Sequence, residues 1–458
     1  MDSESKTLKP GYNPIIQTAF TADPAPMVHG DRLYVHTSHD APGADWFVMD
    51  NLMTYSTVDL VNWTDHGPAM NSADFVWAKK NTLWASQVVE RDGKFYAYVP
   101  IERATGQGPA VGVGVSDSPI GPFKDPLGKP LITAGVWAGD IDPTVFIDDD
   151  GQAYMYWGNP QLYYVKLNED MTSVSGEIVW VPMTEDSFGP RRGGPTEKYP
   201  TSYEEGPWFF KRNGLYYLIF SAGMLSEHIA YSTSSSPTGP WKYQGIIMSH
   251  EEKGAAFTNH SGVVDYKGRS YFFYHNQWLN HTPGFTGGFT RSTAVEEFAY
   301  NQDGSIALLN MTNDFRPAIA ALNPYARVEA ETIAWCVGVK TERCSQGGMN
   351  ICDLHDGSYV QVRNVDFGDI GAAEFIACVA NGNDLLEGSS ACIELYLDSL
   401  AGPLIGTLSV SPTGGWDNWK EMSASVSGAR GIHDLFLVFK GNDSELYKVD
   451  YWRFVAAA

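Results

Sequence analysis

The chain has 458 residues and a formal net charge of −23 at pH 7, from 54 acidic and 31 basic residues. This length exceeds one ordinary hydrophobic core, so two or three domains are expected. The acidic excess and the lack of a Lys/Arg cluster argue against nucleic acid as a partner, because a phosphate backbone would be repelled, whereas a neutral polysaccharide carries no such penalty.

The N-terminal segment, MDSESKTLKPGYNP, lacks the apolar region of a signal peptide. The longest apolar runs elsewhere, such as residues 215–220, fall far short of the roughly 18 residues that a membrane span requires. We therefore expect no membrane partner. For the sequence as written we expect a cytoplasmic location, or a secreted one if a leader has been removed.

A pattern of one apolar strand, a turn with glycine and one aromatic-rich strand recurs five times, at spacings of about 60 residues. Each copy predicts a β-hairpin, and the segments that follow, such as AYSTSSSPTGPWKYQG, predict two outer strands joined by a turn. Hairpin repeats of this length are typical of β-propeller blades, so five blades are predicted. The copies start at Asp23, Trp84, Asp142, Glu205 and His260.

The last part of the chain has a different pattern. The segment DFRPAIAALNPYARVEAET contains two prolines and suits a connector, so we place the boundary near Asn323. Beyond it, short alternating strands separated by turns predict a β-sandwich. The predicted fold class is all-β: a five-bladed β-propeller over residues 1–323, followed by a β-sandwich over residues 324–458.

All five cysteines lie in the last third of the chain, and no CxxC motif is present. An odd number without that motif predicts neither a complete disulfide framework nor a zinc site. We expect mostly buried free thiols, which suit a reducing compartment.

The five repeat starts are expected to meet at the propeller axis, which would bring three carboxylates and one imidazole together. Crowding three acids costs free energy, because like charges raise at least one pKa and each pKa unit is about 1.4 kcal/mol. A single Asp before Pro is commonly a turn residue. Three acidic residues at corresponding points of the repeats instead indicate a catalytic role. Glycoside hydrolysis needs such a set: one carboxyl protonates the leaving oxygen while another activates water or attacks the sugar.

Several motifs of the repeats resemble glycoside hydrolase family 43, whose five-bladed propellers include β-xylosidases, α-L-arabinofuranosidases and arabinanases. The resemblance covers most of residues 12–320. The motifs are ADPAP at 22–26, YSTVDLVNWTDHG at 55–67, DIDPTVFIDDDG at 140–151 and EGPWFFKRNGLYYL at 205–218.

The resemblance implies inversion of the anomeric configuration and a role for each acid. Asp23 would be the general base that activates water, Glu205 the general acid, and Asp142 the residue that tunes the pKa of the acid and orients it. Inversion would require roughly 6.5 to 9.5 Å between the base and acid carboxyls. The neighbouring Asp140 and Glu204 are the alternatives, but the family motif places the functional acid directly before Pro or Gly-Pro.

Three further residues are candidates for the same pocket. His260 resembles the family's axial histidine, which often faces a hydrated calcium ion in the central channel; the alternative is a core histidine. Arg291 in GFTRST resembles the arginine that reaches the sugar pocket; the alternative is an ion pair within a blade. Trp84 is a candidate apolar wall of the pocket; the alternative is plain packing.

The C-terminal segment resembles a family 6 carbohydrate-binding module, a jelly-roll sandwich, over about residues 325–456. The motifs are VEAET at 328–332, SYVQVRNVDFG, GGWDNWK at 414–420 and KVDYWRF at 448–454.

The second resemblance implies a structural calcium ion held by Glu329, Glu331 and Asp450, and carboxylate oxygens suit calcium. Trp416 or Trp419 is the candidate sugar platform. Related modules carry a second aromatic residue where this chain reads GGMNICDL, so the alternative is a structural module without the usual cleft.

The sequence therefore predicts an inverting exo-glycosidase that releases α-L-arabinofuranosyl units, and also β-D-xylosyl units if the pocket accepts both, from arabinoxylan-derived oligosaccharides. The expected partners are pentose-containing oligosaccharides. The alternatives within the class are a β-xylosidase or an arabinanase without arabinofuranosidase activity. The alternative from another class is a non-catalytic, carbohydrate-binding propeller.

Overall fold

The computed structural model describes residues 13–134, 139–223, 225–252, 254–280, 289–312, 317–383, 391–442 and 445–458. They form two compact units: the first comprises the described residues of 20–54 and 68–312, and the second those of 13–19, 55–67 and 317–458. The boundary near Asn323 stays a prediction. Some segments used in the sequence analysis lie outside the described residues. They are the N-terminal segment up to residue 12, residues 287–288 of the last repeat and residues 314–316 of the connector.

The first nineteen strands carry the repeats. The helices among the described residues are a 3₁₀ turn, Ser72–Asp74, and a single-turn helix α1, Glu185–Phe188. The strands are β1 (Thr21–His29), β2 (Arg32–Asp40), β3 (Met49–Thr57), β4 (Trp63–Asn71), β5 (Ala78–Leu83), β6 (Gln87–Arg91), β7 (Lys94–Arg103), β8 (Pro109–Ser116), β9 (Thr144–Ile147), β10 (Ala153–Trp157), β11 (Tyr163–Leu167), β12 (Val174–Trp180), β13 (Tyr203–Arg212), β14 (Leu215–Ala222), β15 (His228–Ser234), β16 (Lys242–Met248), β17 (Ser261–Tyr266), β18 (Arg269–Asn276) and β19 (Ser292–Phe298).

All five predicted hairpins are present as antiparallel pairs: β1–β2, β6–β7, β9–β10, β13–β14 and β17–β18. Each turn contains a glycine with φ between 61° and 84°, the left-handed region that side chains with a Cβ disfavour. The turn glycines are Gly30, Gly93, Gly151, Gly214 and Gly268.

The innermost strands close a ring. Strand β1 contacts β6, β6 contacts β9, β9 contacts β13, β13 contacts β17, and β17 contacts β1. Outer strands extend these hairpins into sheets, as in β9–β12 and β13–β16. Aromatic side chains of the repeats fill the space between neighbouring sheets; Tyr156 and Trp241, for example, both pack edge-on against Phe209. The predicted five-bladed propeller is confirmed.

The second unit is a sandwich of two antiparallel sheets, as predicted, in the orders β23-β24-β31-β26-β29, with β20 beside β31, and β22-β25-β30-β27-β28. Strand β21 pairs with the part of β4 that belongs to this unit, through Thr332 and Thr64. The strands are β20 (Val328–Glu329), β21 (Thr332–Ile333), β22 (Trp335–Val337), β23 (Lys340–Arg343), β24 (Met349–Cys352), β25 (Tyr359–Asp366), β26 (Ala372–Ala380), β27 (Cys392–Leu397), β28 (Leu404–Ser409), β29 (Lys420–Ser425), β30 (Ile432–Lys440) and β31 (Lys448–Ala456).

The core of the sandwich contains large buried side chains such as Phe375, Trp452 and Phe454. All five cysteines are free thiols, and four of them are buried. In the described ranges, no helix has the length and apolar character needed to cross a membrane.

Candidate active site

The three acids predicted from the repeat starts lie around the imidazole of His260. Its Nδ1 is 3.7 Å from Oδ1 of Asp23, and its Nε2 is 3.4 Å from Oδ2 of Asp142 and 4.0 Å from Oε1 of Glu205. Residues up to 237 positions apart in the sequence thus share one centre. Asp23 and Glu205 thus approach different nitrogens of the same imidazole.

Backbone irregularities aim the acids at the axis. Asp23 and Asp142 have φ of 52° and 59°, the left-handed conformation that aspartate tolerates better than most residues. The pairing register of β1 shifts between Ala22 and Ala25, and that of β13 shifts on both sides of Glu205. Such bulges re-aim a side chain and are frequent next to active sites.

Asp23 is held as an anion. Its Oδ1 accepts from Nη1 of Arg291 at 3.0 Å, and its Oδ2 accepts from Oγ of Ser38 at 2.7 Å. Burial alone would raise the pKa of Asp23, but the charges of Arg291, His260 and His275 and the Ser38 hydroxyl outweigh it and lower the pKa to about 2.

Arg291 has a second anionic partner, Asp40. The guanidinium donates to both Asp40 carboxylate oxygens, from Nε at 2.9 Å and from Nη2 at 2.8 Å, a bidentate pair that fixes its orientation. The predicted pocket residue and the alternative, an ion pair, are therefore both observed: Arg291 makes the pair and also lines the pocket.

The pKa of Glu205 is shifted in the opposite direction from that of Asp23. Burial and the nearby Asp142 charge raise its pKa to about 7, against the opposing effects of His260 and a 2.5 Å hydrogen bond from Nδ2 of Asn159. The carboxyl is therefore largely protonated below neutral pH, at which Asp23 is ionised. Two carboxyls with pKa values driven apart are what an acid and base pair requires.

Asp142 orients the acid through the backbone next to it, because its Oδ2 accepts from the Gly206 amide at 3.0 Å. The two alternative acids are held elsewhere. Asp140 accepts from the indole of Trp157 at 3.0 Å and from the Ala134 amide at 2.7 Å. Glu204 makes a 2.8 Å ion pair with Arg191. Neither lines the pocket.

His260 carries positive charge at neutral pH. Burial would lower its pKa, but Asp142, Asp23 and Glu205 together raise it to about 9. Donor atoms of Asp142, Glu205 and His260 lie within 4.8 Å of one another. Calcium prefers oxygen ligands, so direct coordination by this imidazole does not fit calcium well, and the hydrated channel ion stays a prediction.

The acids open into a pocket of about 200 Å³. This is smaller than the roughly 300 to 1,000 Å³ of sites for drug-sized ligands and suits one sugar ring. Trp84 lines it, and its indole donates to the Phe47 carbonyl at 3.1 Å, while Trp46 stands exposed at the wall.

Sequence reasoning missed a residue that fixes the segment before His260. Glu227 accepts from the Asn259 amide at 2.8 Å and donates its own backbone N–H to the Phe257 carbonyl at 3.0 Å. Burial, followed by the charge of Glu205, raises its pKa well above the ordinary value. Ser38, Asp40 and Asn159 were missed as well, and nothing in their local sequence marks them.

The second unit contains the other predicted carboxylates. Glu331 and Asp450 are buried, and Oε2 of the former and Oδ1 of the latter have no hydrogen-bond partner among the described residues. Burial, followed by the Glu329 and Asp65 charges and partly by Asp450, raises the pKa of Glu331 to about 9. Glu329 instead makes a 2.8 Å ion pair with Arg327, its neighbour on the same face of the chain.

The predicted sugar platforms of this unit are only partly exposed. Trp419 donates its indole N–H to Oγ of Ser345 at 3.0 Å, and the ammonium of Lys448 lies 5.9 Å from the Trp416 ring centroid. At the position where related modules carry a second aromatic residue, Asp353 makes a 2.8 Å ion pair with Lys340.

The sequence matches the models of two known protein families. The model of the family "Glycosyl hydrolases family 43" matches residues 12–306, well over half of the chain. The chain belongs to glycosyl hydrolases family 43. It is therefore a glycoside hydrolase. A second family model, "Carbohydrate binding module (family 6)", matches residues 329–456 of this family 43 chain. Both resemblances expected from the sequence are confirmed.

Some relatives and solved structures match nearly the whole of this chain, and others match about two thirds of it. An arabinoxylan arabinofuranohydrolase of Paenibacillus polymyxa is 33% identical over 96% of this chain and 74% of the relative. The crystal structure of a family 43 arabinoxylan arabinofuranohydrolase from Bacillus subtilis, in complex with cellotetraose, has a TM-score of 0.83 at 32% identity and covers 97% of both chains. A β-xylosidase/α-arabinofuranosidase from a compost metagenome, with xylotriose and in a calcium-free form, has a TM-score of 0.56 at 29% identity over 66% of this chain and 97% of the other.

Proposed function

We propose that this family 43 hydrolase releases terminal α-L-arabinofuranosyl units from arabinoxylan and its oligosaccharides, with inversion, and that Asp23, Asp142 and Glu205 carry the reaction. One arrangement supports the assignment above all: Asp23, whose pKa is lowered to about 2, and Glu205, whose pKa is raised to about 7, lie near different nitrogens of His260, at a pocket sized for a single sugar ring.

In this proposal Glu205 protonates the departing glycosidic oxygen while Asp23 takes a proton from the attacking water. The water adds to the anomeric carbon on the face away from the leaving group, and the product leaves with inverted configuration. Arg291 keeps Asp23 unprotonated and fixed, and Asp142 keeps Glu205 protonated through its charge. The cationic His260 adds positive charge beside Asp23, Asp142 and Glu205.

The substrate assignment rests on the arabinoxylan arabinofuranohydrolases that match nearly the whole chain. Pentose-containing substrates also suit the small pocket, because an arabinofuranosyl side group is one ring on a longer chain. Since arabinofuranosyl and xylosyl groups present similar hydroxyls, some release of β-D-xylosyl units is part of the proposal.

The test is product analysis on arabinoxylan, linear arabinan and xylo-oligosaccharides by anion-exchange chromatography. We expect free arabinose from arabinoxylan with the xylan backbone left at full length. Xylose from xylo-oligosaccharides without any arabinose would make the enzyme a β-xylosidase, and arabinose from linear arabinan alone would make it an arabinanase. Binding without turnover on any of the three would leave a carbohydrate-binding propeller.

The pH profile of kcat/KM should report the acid and the base. Activity is expected to fall as pH rises through about 7, because Glu205 loses the proton it must donate, and to persist in acid until Asp23 is protonated near pH 2 or the protein unfolds. Because the Asp142 charge raises the pKa of Glu205, D142N should move the basic limb to lower pH by about one unit. An unchanged or higher basic limb in D142N would contradict the role of Asp142.

We further propose that the carboxylates of the second unit hold a structural calcium ion. The buried oxygens of Glu331 and Asp450 without hydrogen-bond partners suit a hard cation, and Glu329 is the third carboxylate of the set. The ion would add positive charge beside Glu331, whereas Arg327 already pairs with Glu329 and lies 3.3 Å from Asp450.

Calcium removal should lower the thermal stability of the sandwich. At calcium a hundredfold above its Kd, the ion should add about 2.7 kcal/mol to the free energy of unfolding, seen by calorimetry as a higher transition than in EDTA. The variant E331Q should lose this response, while E205Q should keep it. Equal transition temperatures with calcium and with EDTA in the wild type would contradict the site.

A further inference from the structure

An exposed tryptophan ends the outermost strand of the third blade. Trp180, the last residue of β12, is 59% exposed, although tryptophan side chains are highly buried on average. Its position is nevertheless fixed. The indole N–H donates to Oε1 of Gln161 at 2.7 Å, and the ring stacks on Tyr163, with centroids 5.8 Å apart and planes 30° apart.

The stack continues inward. Tyr163 stacks in turn on the buried Trp157, with centroids 5.5 Å apart. A rigid aromatic row therefore backs one face of the Trp180 ring, while most of the rest is open to solvent. A ring prepared in this way binds a flat apolar surface at little cost in conformational entropy.

Trp180 lies on the same face of the propeller as the catalytic acids. In the register of blade 3, Trp180 pairs with Tyr163, Tyr163 with Trp157, and Thr144, the first residue of β9, pairs with Tyr156. These residues therefore share one end of the blade, the end from which Asp142 precedes β9. Three strand spacings of about 4.8 Å place Trp180 about 14 Å outward from the start of β9.

One loop connects the two places. The residues between β10 and β11 supply Asn159, whose amide donates to Glu205, and Gln161, whose side chain accepts from Trp180. The aromatic platform and the candidate acid are thus held by the same short segment.

The pocket leaves most of a polymeric substrate outside. It has room for about one sugar ring, so the remaining chain must run over the surface around it. The apolar C–H face of a sugar packs on an aromatic ring, and its hydroxyls can use neighbouring polar groups. The chain's net charge of −23 disfavours a phosphate-bearing polymer at the same place.

We infer that Trp180 is a distal platform for a neutral backbone sugar of a polymeric substrate, several sugar units from the one in the pocket. The inference rests on the proposed function for its substrate class. It assigns blade 3 a part in distinguishing polymers from short oligosaccharides, which the pocket alone does not provide.

The kinetic test compares wild type, W180A and W180F on soluble arabinoxylan and on an aryl arabinofuranoside. We expect W180A to lower kcat/KM on the polymer by about three- to tenfold, to leave the aryl glycoside and the Tm unchanged, and W180F to recover most of the loss. Equal losses on both substrates would assign Trp180 a structural role and overturn the inference. Unchanged kinetics of W180A on the polymer would also overturn the inference. This includes the outcome in which sedimentation shows that W180A changes only the self-association of the protein.

A binding test separates this inference from the proposed function. In gel electrophoresis with soluble arabinoxylan in the matrix, E205Q should be retarded more than E205Q/W180A, with no turnover needed. A difference in retardation supports the platform even if the wild type releases no arabinose, and equal retardation overturns it even if arabinose is released.

Discussion

E205Q should lower kcat/KM on arabinoxylo-oligosaccharides by about 10²- to 10⁴-fold, the usual contribution of a positioned general acid. Glutamine keeps the size of the side chain and a group that can interact with Asn159, but its amide is far too weak an acid to protonate the departing oxygen. The loss should therefore depend on the leaving group. A dinitrophenyl arabinofuranoside, whose leaving group needs no protonation, should retain most of its wild-type rate, as measured by initial rates on both substrates.

Glu204 provides a matched control one residue away. Its carboxylate pairs with Arg191 and does not line the pocket, so E204Q should affect Tm more than kcat/KM. If E205Q lost equal activity on natural and activated substrates, the general-acid role would be wrong. If E204Q showed the leaving-group dependence instead, the acid would be Glu204.

D23N should lower turnover on every substrate by about 10²- to 10⁴-fold, and this loss should not depend on the leaving group. The water must be deprotonated whichever group departs, and an asparagine cannot accept that proton. Because Asp23 also pairs with Arg291 and Ser38, the Tm of D23N should be measured alongside the rates.

The matched control for D23N is D140N, which changes a buried aspartate that faces Trp157 and Ala134 rather than the pocket. We expect D140N to retain far more activity than D23N, even if D140N lowers the Tm. A D23N enzyme that kept full activity on the activated glycoside would show that Asp23 does not activate water.

The hairpins and their starting residues could be predicted because their signals are local. Alternating strands and a turn glycine lie within about twenty residues of each other, and the repeat itself puts Asp23, Asp142 and Glu205 at equivalent points. Ring closure then brings these residues together without any further information from the sequence.

The pairings of the acids could not be predicted, because they form only when other strands and loops are in place. Arg291 meets Asp40 across 251 positions, and Asn159 meets Glu205 across 46. A serine in an alternating strand, such as Ser38, looks like any other strand residue until the neighbouring strand is in place. The membership of residues 55–67 in the second unit is likewise a tertiary feature that their blade-like motif does not reveal.

Glu329 makes a contact that its motif alone does not predict. The motif has glutamates at positions 329 and 331, and Arg327 directly precedes the short strand that contains Glu329. Arg327 pairs with Glu329 and reaches Asp450 at 3.3 Å. Only the identity of residue 327 could have indicated this.

The stereochemistry of hydrolysis tests the central claim most directly. Proton NMR during the first minutes of cleavage of an aryl α-L-arabinofuranoside should show β-L-arabinofuranose appearing first, with the α anomer following by mutarotation, because Asp23 activates water on the face opposite the group that Glu205 protonates. If the α anomer appeared first, one of these carboxylates would be a nucleophile, and the division of roles between Asp23 and Glu205 would be wrong.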